Sequence, residues 1–294
     1  MFTVNLPKAQ NNPPERKEKM PGRLFVVGTP IGNLGDFSPR AVETLNACDF
    51  IAAEDTRVTL KLLNHFGIKK HLVSCHEHNE KEKSFDIIER ILGGENCALV
   101  SDAGMPCVSD PGSELINKCH ERGIEVAAVP GPTAFATAFA LSGLMCKRFT
   151  FEGFLSTAKR SRREHLESIK HETRAMIFYE APHKLVYTLR DMLEYLGDRR
   201  LTIAREITKI HEQTIRTTLS EAVKHYEENT PKGEFVLIIE GEQPEKEQSM
   251  SLEEAVEYAR ELQKDGMPKT AAAKEAANFS GQKKSEIYKK LTEE

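Results

Sequence analysis

From residue 23 to residue 241 the chain alternates between two apolar spacings. Residues 23–27 are a short apolar run closed by Gly28-Thr29-Pro30-Ile31-Gly32, which predicts a strand followed by a glycine-rich loop. Residues 39–46 carry a helical period, 50–53 a strand run, and 56–66 a second helical period stopped by Gly67. Residues 97–100 predict the next strand. It leads into Ser101-Asp-Ala-Gly104 and Ser109-Asp-Pro-Gly112, two turn-forming quartets of similar composition. Asp110 is placed to cap a helix with Pro111 at its first position and Gly123 at its end. Residues 124–129 predict a strand, then Pro130-Gly131-Pro132 and a helix over 133–141.

Strands and helices in alternation predict an α/β domain with a mostly parallel sheet. The pattern restarts with strand runs at 174–179, 200–204 and 235–240, separated by helical periods at 182–196 and 220–226. The predicted division is a disordered arm over 1–22, an N-terminal α/β domain over 23–146 and a C-terminal α/β domain over 147–242. Ser251-Leu-Glu-Glu254 is a capping box that opens a helical tail over 250–294. Within that tail, residues 271–277, Ser280-Gly281 and the run that follows resemble a helix-turn-helix pair.

Composition narrows the picture. The 294 residues are 39% hydrophobic and 29% charged, enough for real cores under a soluble surface. A net charge of −4 gives no global signal for nucleic acid, so such binding must come from local basic patches. The first residues lack the apolar stretch of a secretory signal. The most membrane-like run, 126–145, is interrupted by Pro130, Gly131, Pro132 and Gly143, which favours a buried turn and helix over a membrane span. Six scattered cysteines without a C-x-x-C pair fit a reducing cytoplasm rather than a disulfide framework or zinc ribbon.

Candidate chemistry gathers where the strands end. Three loops, at 28–32, 101–112 and 130–134, follow three strands of the first domain, and loops at the carboxyl edge of an open α/β sheet gather ligands. None carries G-x-G-x-x-G or G-K-[ST], so dinucleotide and P-loop fingerprints are missing. Together the three loops point to a small-molecule site. His76 and His78 would share a strand face, but no third ligand stands at a regular spacing, and no metal is expected.

The chain resembles the tetrapyrrole methylase fold family of S-adenosylmethionine-dependent methyltransferases. Within it, the similarity is to the bacterial branch that methylates a ribose 2′-hydroxyl of a cytidine in small-subunit ribosomal RNA. The stretches that carry the resemblance are LFVVGTPIGNLGD (24–36), AAEDTR (52–57), HEHNE (76–80), SDAGMPCVSDPG (101–112) and VPGPTA (129–134). FEGFL (151–155), YEAPHK (179–184), REITK (205–209) and GEFVLIIEG (233–241) complete the set. Lys184 stands where the family pattern has Arg, a change that keeps the charge. Methylases of uroporphyrinogen, precorrin or the diphthamide precursor share the fold and donor loops; AAEDTR, HEHNE, YEAPHK and the basic tail favour the ribosomal branch. A non-catalytic RNA-binding assembly factor of the same fold is the rival from another class.

The resemblance implies two α/β domains, a homodimer, and S-adenosylmethionine folded between the domains. Carried over, the donor contacts are Pro30, Gly32, Asp102, Ala103, Gly104, Met105, Thr133 and Ala134, with Tyr179 and Phe235 from the second domain. Methyl transfer from a sulfonium is an in-line displacement, in which alignment is worth up to ~7–11 kcal/mol and no metal is required. A ribose hydroxyl is a poor acid, so a neighbouring side chain is expected to help remove its proton. Glu54, Asp55, Arg57, His183 and Lys209 are the candidates, each able instead to serve as phosphate clamp or structural ion pair, and Asp55 as a helix cap. For the RNA or the 30S subunit, Lys159, Arg160, Arg162 and Arg163 put four cations in five residues, and Lys283 and Lys284 belong to a second basic patch in the tail. Phe149, Phe151 and Phe154, just upstream of the first patch, read as core.

Overall fold

A computed structural model describes residues 20–243 and 250–293; the expected arm over 1–22 lies outside them except for its last three residues, as does most of the segment before the tail. The first sheet is built from β1 (Leu24–Val27), β2 (Phe50–Ala53), β3 (His71–Ser74), β4 (Cys97–Val100) and β5 (Val126–Val129). They run parallel in the order β3-β2-β4-β1-β5. Phe50-Ile-Ala-Ala53 and Cys97-Ala-Leu-Val100 are buried at every position, which is why these strands read as unbroken apolar runs rather than alternating ones. Helices cover both faces. On one side α1 (Pro39–Ala47) and α2 (Thr56–His65) bury Ala41, Leu45 and Leu63; on the other, α3 (Glu80–Leu92) and α4 (Ser113–Glu121) bury Ile87, Ile91, Leu115 and Cys119. The sequence pattern does not reveal β3 and α3, in whose place only the HEHNE motif stands out.

The second sheet has the order β6-β7-β10-β8-β9, made by β6 (Phe149–Phe154), β7 (Ala175–Glu180), β8 (Arg200–Arg205), β9 (Gln213–Thr218) and β10 (Phe235–Ile239). Only β6 and β7 are parallel; the remaining pairs are antiparallel. One face packs on α6 (Lys159–Ser168), α7 (Leu185–Leu196) and α8 (Leu219–Glu228) through Leu166, Leu189, Met192 and Leu219. The other is covered by α5 (Ala134–Ser142), a helix that follows the first sheet in the chain but packs its Ala138, Phe135 and Phe139 against Ile177, Ala204 and Ile238 of the second. Its sequence, AFATAFALS, is apolar around its circumference, as suits a helix enclosed on more than one side. β6 and β9 are not among the strands the sequence predicts. β9 is largely exposed, so its pattern lacks an apolar face, and β6 holds the bulge at Gly153 that breaks its alternation.

The tail forms three helices, α9 (Leu252–Lys264), α10 (Lys269–Ser280) and α11 (Lys284–Lys290), one more than a helix-turn-helix pair. They enclose a small core of Ala255, Ala259, Ala272, Ala276 and Ile287. The expected capping box forms: Ser251 Oγ accepts from Glu254 N, and the Glu254 carboxylate accepts from Ser251 N at 2.7 Å. Gly281 adopts the left-handed conformation, φ 68°, that ends α10 and turns the chain into α11. Among the described residues no helix is long and apolar enough to cross a membrane.

Candidate functional site

β1 and β4 are neighbours in the first sheet, yet their connections leave on opposite faces, to α1 and α4. Such a switch point opens a crevice beyond the strand ends, and the glycine-rich loops meet there. Thr29 and Gly104 form an isolated antiparallel bridge across it, with Thr29 N to Gly104 O at 2.9 Å and the return bond at 3.2 Å. Gly104 has φ 87°. On the other side of β1 the loops after β1 and β5 approach so closely that a Cβ on Gly28 would lie 2.7 Å from Gly131 Cα. Glycine is required there by backbone proximity.

A cavity of about 490 Å³, in the usual range for small-ligand sites, lies between these loops and the edge of the second sheet. The first domain contributes Ile31, Glu54, Asp102, Ala103, Gly104, Met105, Asp110, Thr133 and Ala134. The second contributes Phe154, Tyr179, Glu180, Ile207, Glu234 and Phe235. The pairing of β10 with β7 and β8 sets Glu180, Phe235 and Arg205 in one row along that edge. Tyr179 joins the halves directly: its hydroxyl accepts from Phe135 N at 3.1 Å.

Carboxylates set the electrostatics. Register places the ends of β2 and β4 side by side, and their loops exchange bonds: Glu54 Oε2 accepts from Asp102 N at 3.3 Å, and Asp102 Oδ1 accepts from Asp55 N at 3.1 Å. Burial pushes the Glu54 carboxyl above its ordinary value, and the neighbouring charges of Asp102 and Asp55 add to this. Asp102 is likewise raised, chiefly by burial. Asp110 is raised to about 6 by burial and by Glu54. Three carboxyls, each raised above its ordinary value by burial, crowd one cavity and favour a cation over an anion as its occupant. The residues therefore fit a sulfonium donor: acids for its positive sulfur and amino group, and Ile31, Ile207 and Phe235 for an apolar ring.

The sequence-derived candidates divide. Asp102, Ala103, Gly104, Met105, Thr133, Ala134, Tyr179, Phe235 and Glu54 line the cavity, while Pro30 and Gly32 flank it through Ile31. Asp55, Arg57, His183 and Lys209 are not in the lining. Asp55 caps α2 by accepting from Arg57 N at 2.8 Å and binds the exposed Arg57 guanidinium, which holds its carboxyl down at about 2. His183 is exposed. Lys209 bonds Glu206 at 2.9 Å and Glu234 at 3.0 Å, with its stem packed beside Gly32. Lys184, at the departure from the family pattern, is buried against Glu180 at 3.0 Å, so its charge has a structural use.

Four expectations need correction. Asp110 does not cap α4: the N-cap is Gly112, no side chain caps it locally, and Asp110 faces the cavity. Arg162 is no free cation for RNA. It is 5% exposed, pairs with Asp191 at 2.7 Å and lies over the Tyr187 ring, because the helical period of α6 turns that position inward. The phenylalanines are not all core: Phe154 and Phe149 are exposed on one side while each touches a ring on the other, Tyr179 and Phe139 respectively, and Phe151 packs between Phe135 and Tyr179. Of the other cations in this patch, Lys159 and Arg160 are exposed, Arg160 pairing with Glu164, and Arg163 reaches Asp191 and Glu194. Lys283 and Lys284 are exposed at the start of α11. His76 and His78 lie in the turn after β3, not on a strand face, with ring centroids 6.0 Å apart.

Sequence reasoning does not single out Asp110 or Glu234 as site residues, whereas Glu180, at the end of a predicted strand, is legible as a candidate base, phosphate clamp or ion pair and lines the cavity. For Asp110 the signal is present in the second quartet, but there it reads as a helix start.

The family model for tetrapyrrole (corrin/porphyrin) methylases matches residues 23–223. A Synechocystis protein named ribosomal RNA small subunit methyltransferase I is 48% identical over 268 residues, covering 91% of this chain and 96% of its own. A Thermotoga maritima protein of the same name is 48% identical over 222 residues, which are 76% of this chain and all of its own length. Among solved structures, the methyltransferase CobJ superposes with a TM-score of 0.58 at 20% identity, covering 75% of this chain and 94% of its own, a likeness of fold alone. Matched by the family model over residues 23–223 and sharing nearly half its residues with such relatives, the chain belongs to the tetrapyrrole (corrin/porphyrin) methylase family, whose reaction requires a methyl donor.

Proposed function

We propose that the protein transfers a methyl group from S-adenosylmethionine to the ribose 2′-hydroxyl of a cytidine in small-subunit ribosomal RNA. The observation that carries this reading is the acid-lined cavity at the switch point, in a chain 48% identical to a ribosomal RNA small subunit methyltransferase I over most of its length. When bound, S-adenosylmethionine supplies an electrophilic methyl on a positively charged sulfur. Asp102, Asp110 and the backbone of Ala103 and Gly104 then hold the donor, while Ile31, Ile207 and Phe235 exclude water around it. Glu54 is the proton acceptor of choice, because it alone of the candidate bases lines the cavity and burial raises its carboxyl toward working pH. Asp55 and Arg57 shape its loop. Lys209 braces the loop after β8 against Gly32, and His183 is exposed in the turn that follows the strand ending in Glu180.

The exposed cations Lys159, Arg160, Lys283 and Lys284 are assigned to phosphate contacts, in the cytoplasm where the subunit resides. A homodimer is supported by Leu141, Met145 and Phe149, which leave apolar surface exposed around α5 and the outer edge of β6. Sedimentation should give twice the chain mass.

The test is to incubate the protein with labelled S-adenosylmethionine and 30S subunits from a strain lacking it, then map the label. A 2′-O-methylcytidine is expected. A base-methyl product, or a labelled porphyrinoid in place of RNA, would overturn the proposal.

A further inference from the structure

The donor loop 101–112 is tied down at its start by several bonds, from Thr29, Glu54 and Asp55. Its far end is different. Gly112 precedes α4 at φ 128°, and a Cβ there would lie 2.7 Å from both Cys107 Sγ and Leu99 Cδ2. No residue with a side chain fits, so α4 cannot be given the Ser, Thr or Asp that ordinarily caps a helix. Its first amide groups are orphan donors that need an acceptor from elsewhere.

That acceptor is Glu80. From the first turn of α3 its Oε1 accepts from Gly112 N at 3.0 Å, Glu114 N at 2.9 Å and Leu115 N at 3.2 Å. One carboxylate oxygen thus gathers three amides from a segment 32 to 35 residues away. Charge and the helix dipole favour the contact. Lys118 Nζ bonds Lys81 O at 3.2 Å along the same pair of helices. Glu80 in turn is fixed in register by the turn before it, where Asn79 Oδ1 accepts from His76 N at 2.8 Å and Asn79 Nδ2 donates to Ser74 O at 3.3 Å. The HEHNE stretch is therefore a bracket that reads out onto the far end of the donor loop, two residues from Asp110.

We propose that Glu80 is a positioning residue for methyl-donor binding, acting by clamping Gly112 and the start of α4 so that Val108, Ser109 and Asp110 keep their places in the cavity wall. This rests on the reading of that cavity as the donor site. The clamp needs an acceptor oxygen at full reach more than it needs a charge, which separates three variants. Glu80→Gln keeps the oxygen and the reach, Glu80→Asp keeps the charge but shortens the reach by one methylene, and Glu80→Ala removes both.

The experiment is S-adenosylmethionine titration of each full-length variant by calorimetry, with melting temperature and amide exchange over 107–115 measured on the same samples. Glu80→Ala and Glu80→Asp are expected to bind the donor roughly tenfold more weakly, the scale of leaving the three amides without their acceptor. Exchange over 107–115 should rise in both. Glu80→Gln should stay within about threefold, since a neutral acceptor keeps the geometry. If Glu80→Ala fails to fold, Glu80→Asp and Glu80→Gln decide the matter. Lower melting temperatures with wild-type donor affinity in every variant would make Glu80 a structural cap only and overturn the proposal. Failure of the wild-type protein to bind the donor is distinct: it would overturn the donor-site reading and the proposal together.

Discussion

Asp110 shows how one residue's meaning depends on where the chain puts it. Its sequence context, Ser-Asp-Pro-Gly, is that of a helix start, but the cap is supplied by Glu80, and Asp110 is left facing a cavity beside Glu54 and Asp102. A carboxyl raised to about 6 from an ordinary 3.8 binds more protons in the folded state than in the unfolded one. Its contribution to stability is therefore present at low pH and falls as pH rises from 3.8 to about 6. Asp110→Asn should raise the melting temperature of the ligand-free protein at pH 7 and flatten its dependence on pH between 4 and 6. Donor binding should run the other way: wild-type affinity rises as pH increases through about 6, where the acid becomes an anion able to meet a cation, and Asp110→Asn should lose that rise. Melting curves and calorimetry at pH 5 and 7.5 check both. Arg162 and Arg160 form a similar contrast two residues apart. Arg162→Ala should cost about 3 kcal/mol in chemical denaturation, because it leaves Asp191 buried with only a weaker partner in Arg163. Arg160→Ala should change stability by less than about 0.5 kcal/mol, its pair with Glu164 being exposed.

At the scale of elements, the site depends on loops held against one another rather than on any one helix or strand. β1, β4 and β5 end together, and their loops touch through Thr29–Gly104 and Gly28–Gly131. Gly131→Ala places a methyl carbon 2.8 Å from the Gly28 backbone, with no flexible side chain to move aside. About 1–3 kcal/mol of destabilisation is expected, the scale of overpacking. Donor affinity should fall with it, since separating the two loops also displaces Met105, whose sulfur lies beside Gly28. Gly67→Ala serves as the control. It sits at φ 68° in open space, so it should cost stability through backbone conformation alone and leave donor affinity unchanged.

At the scale of the molecule, the two sheets share the cavity and α5 locks them together, whereas the tail has its own small core. The Thermotoga maritima relative is matched over its whole length by 76% of this chain, so it is a shorter protein. Ending the chain after Glu242 should accordingly leave donor affinity within about twofold while weakening binding to 30S subunits. With Lys283 and Lys284 gone, the slope of log affinity against log salt should shrink by about two, near one for each phosphate no longer neutralised. An unchanged slope would remove the tail from the RNA interface.

The pattern of apolar runs and turns is enough to read the α/β class, the parallel first sheet and the loops that carry the site; the family resemblance adds nine of the twenty residues that line it. Those features are local, being set by strand burial, by glycines where loops approach and by the spacing of helical periods. β3, β6, β9 and α3 are not legible, because exposed strands, a bulge and a charged helix lack the periodicity that burial imposes. Tertiary structure alone decided the rest: that Arg162 turns inward, that Lys209 is tied to Glu234, and that Asp110 joins the cavity while Glu80 takes its place as cap. Each of these depends on a partner tens of residues away or on the side of an element that faces a neighbour, and residue order alone does not specify which side that is.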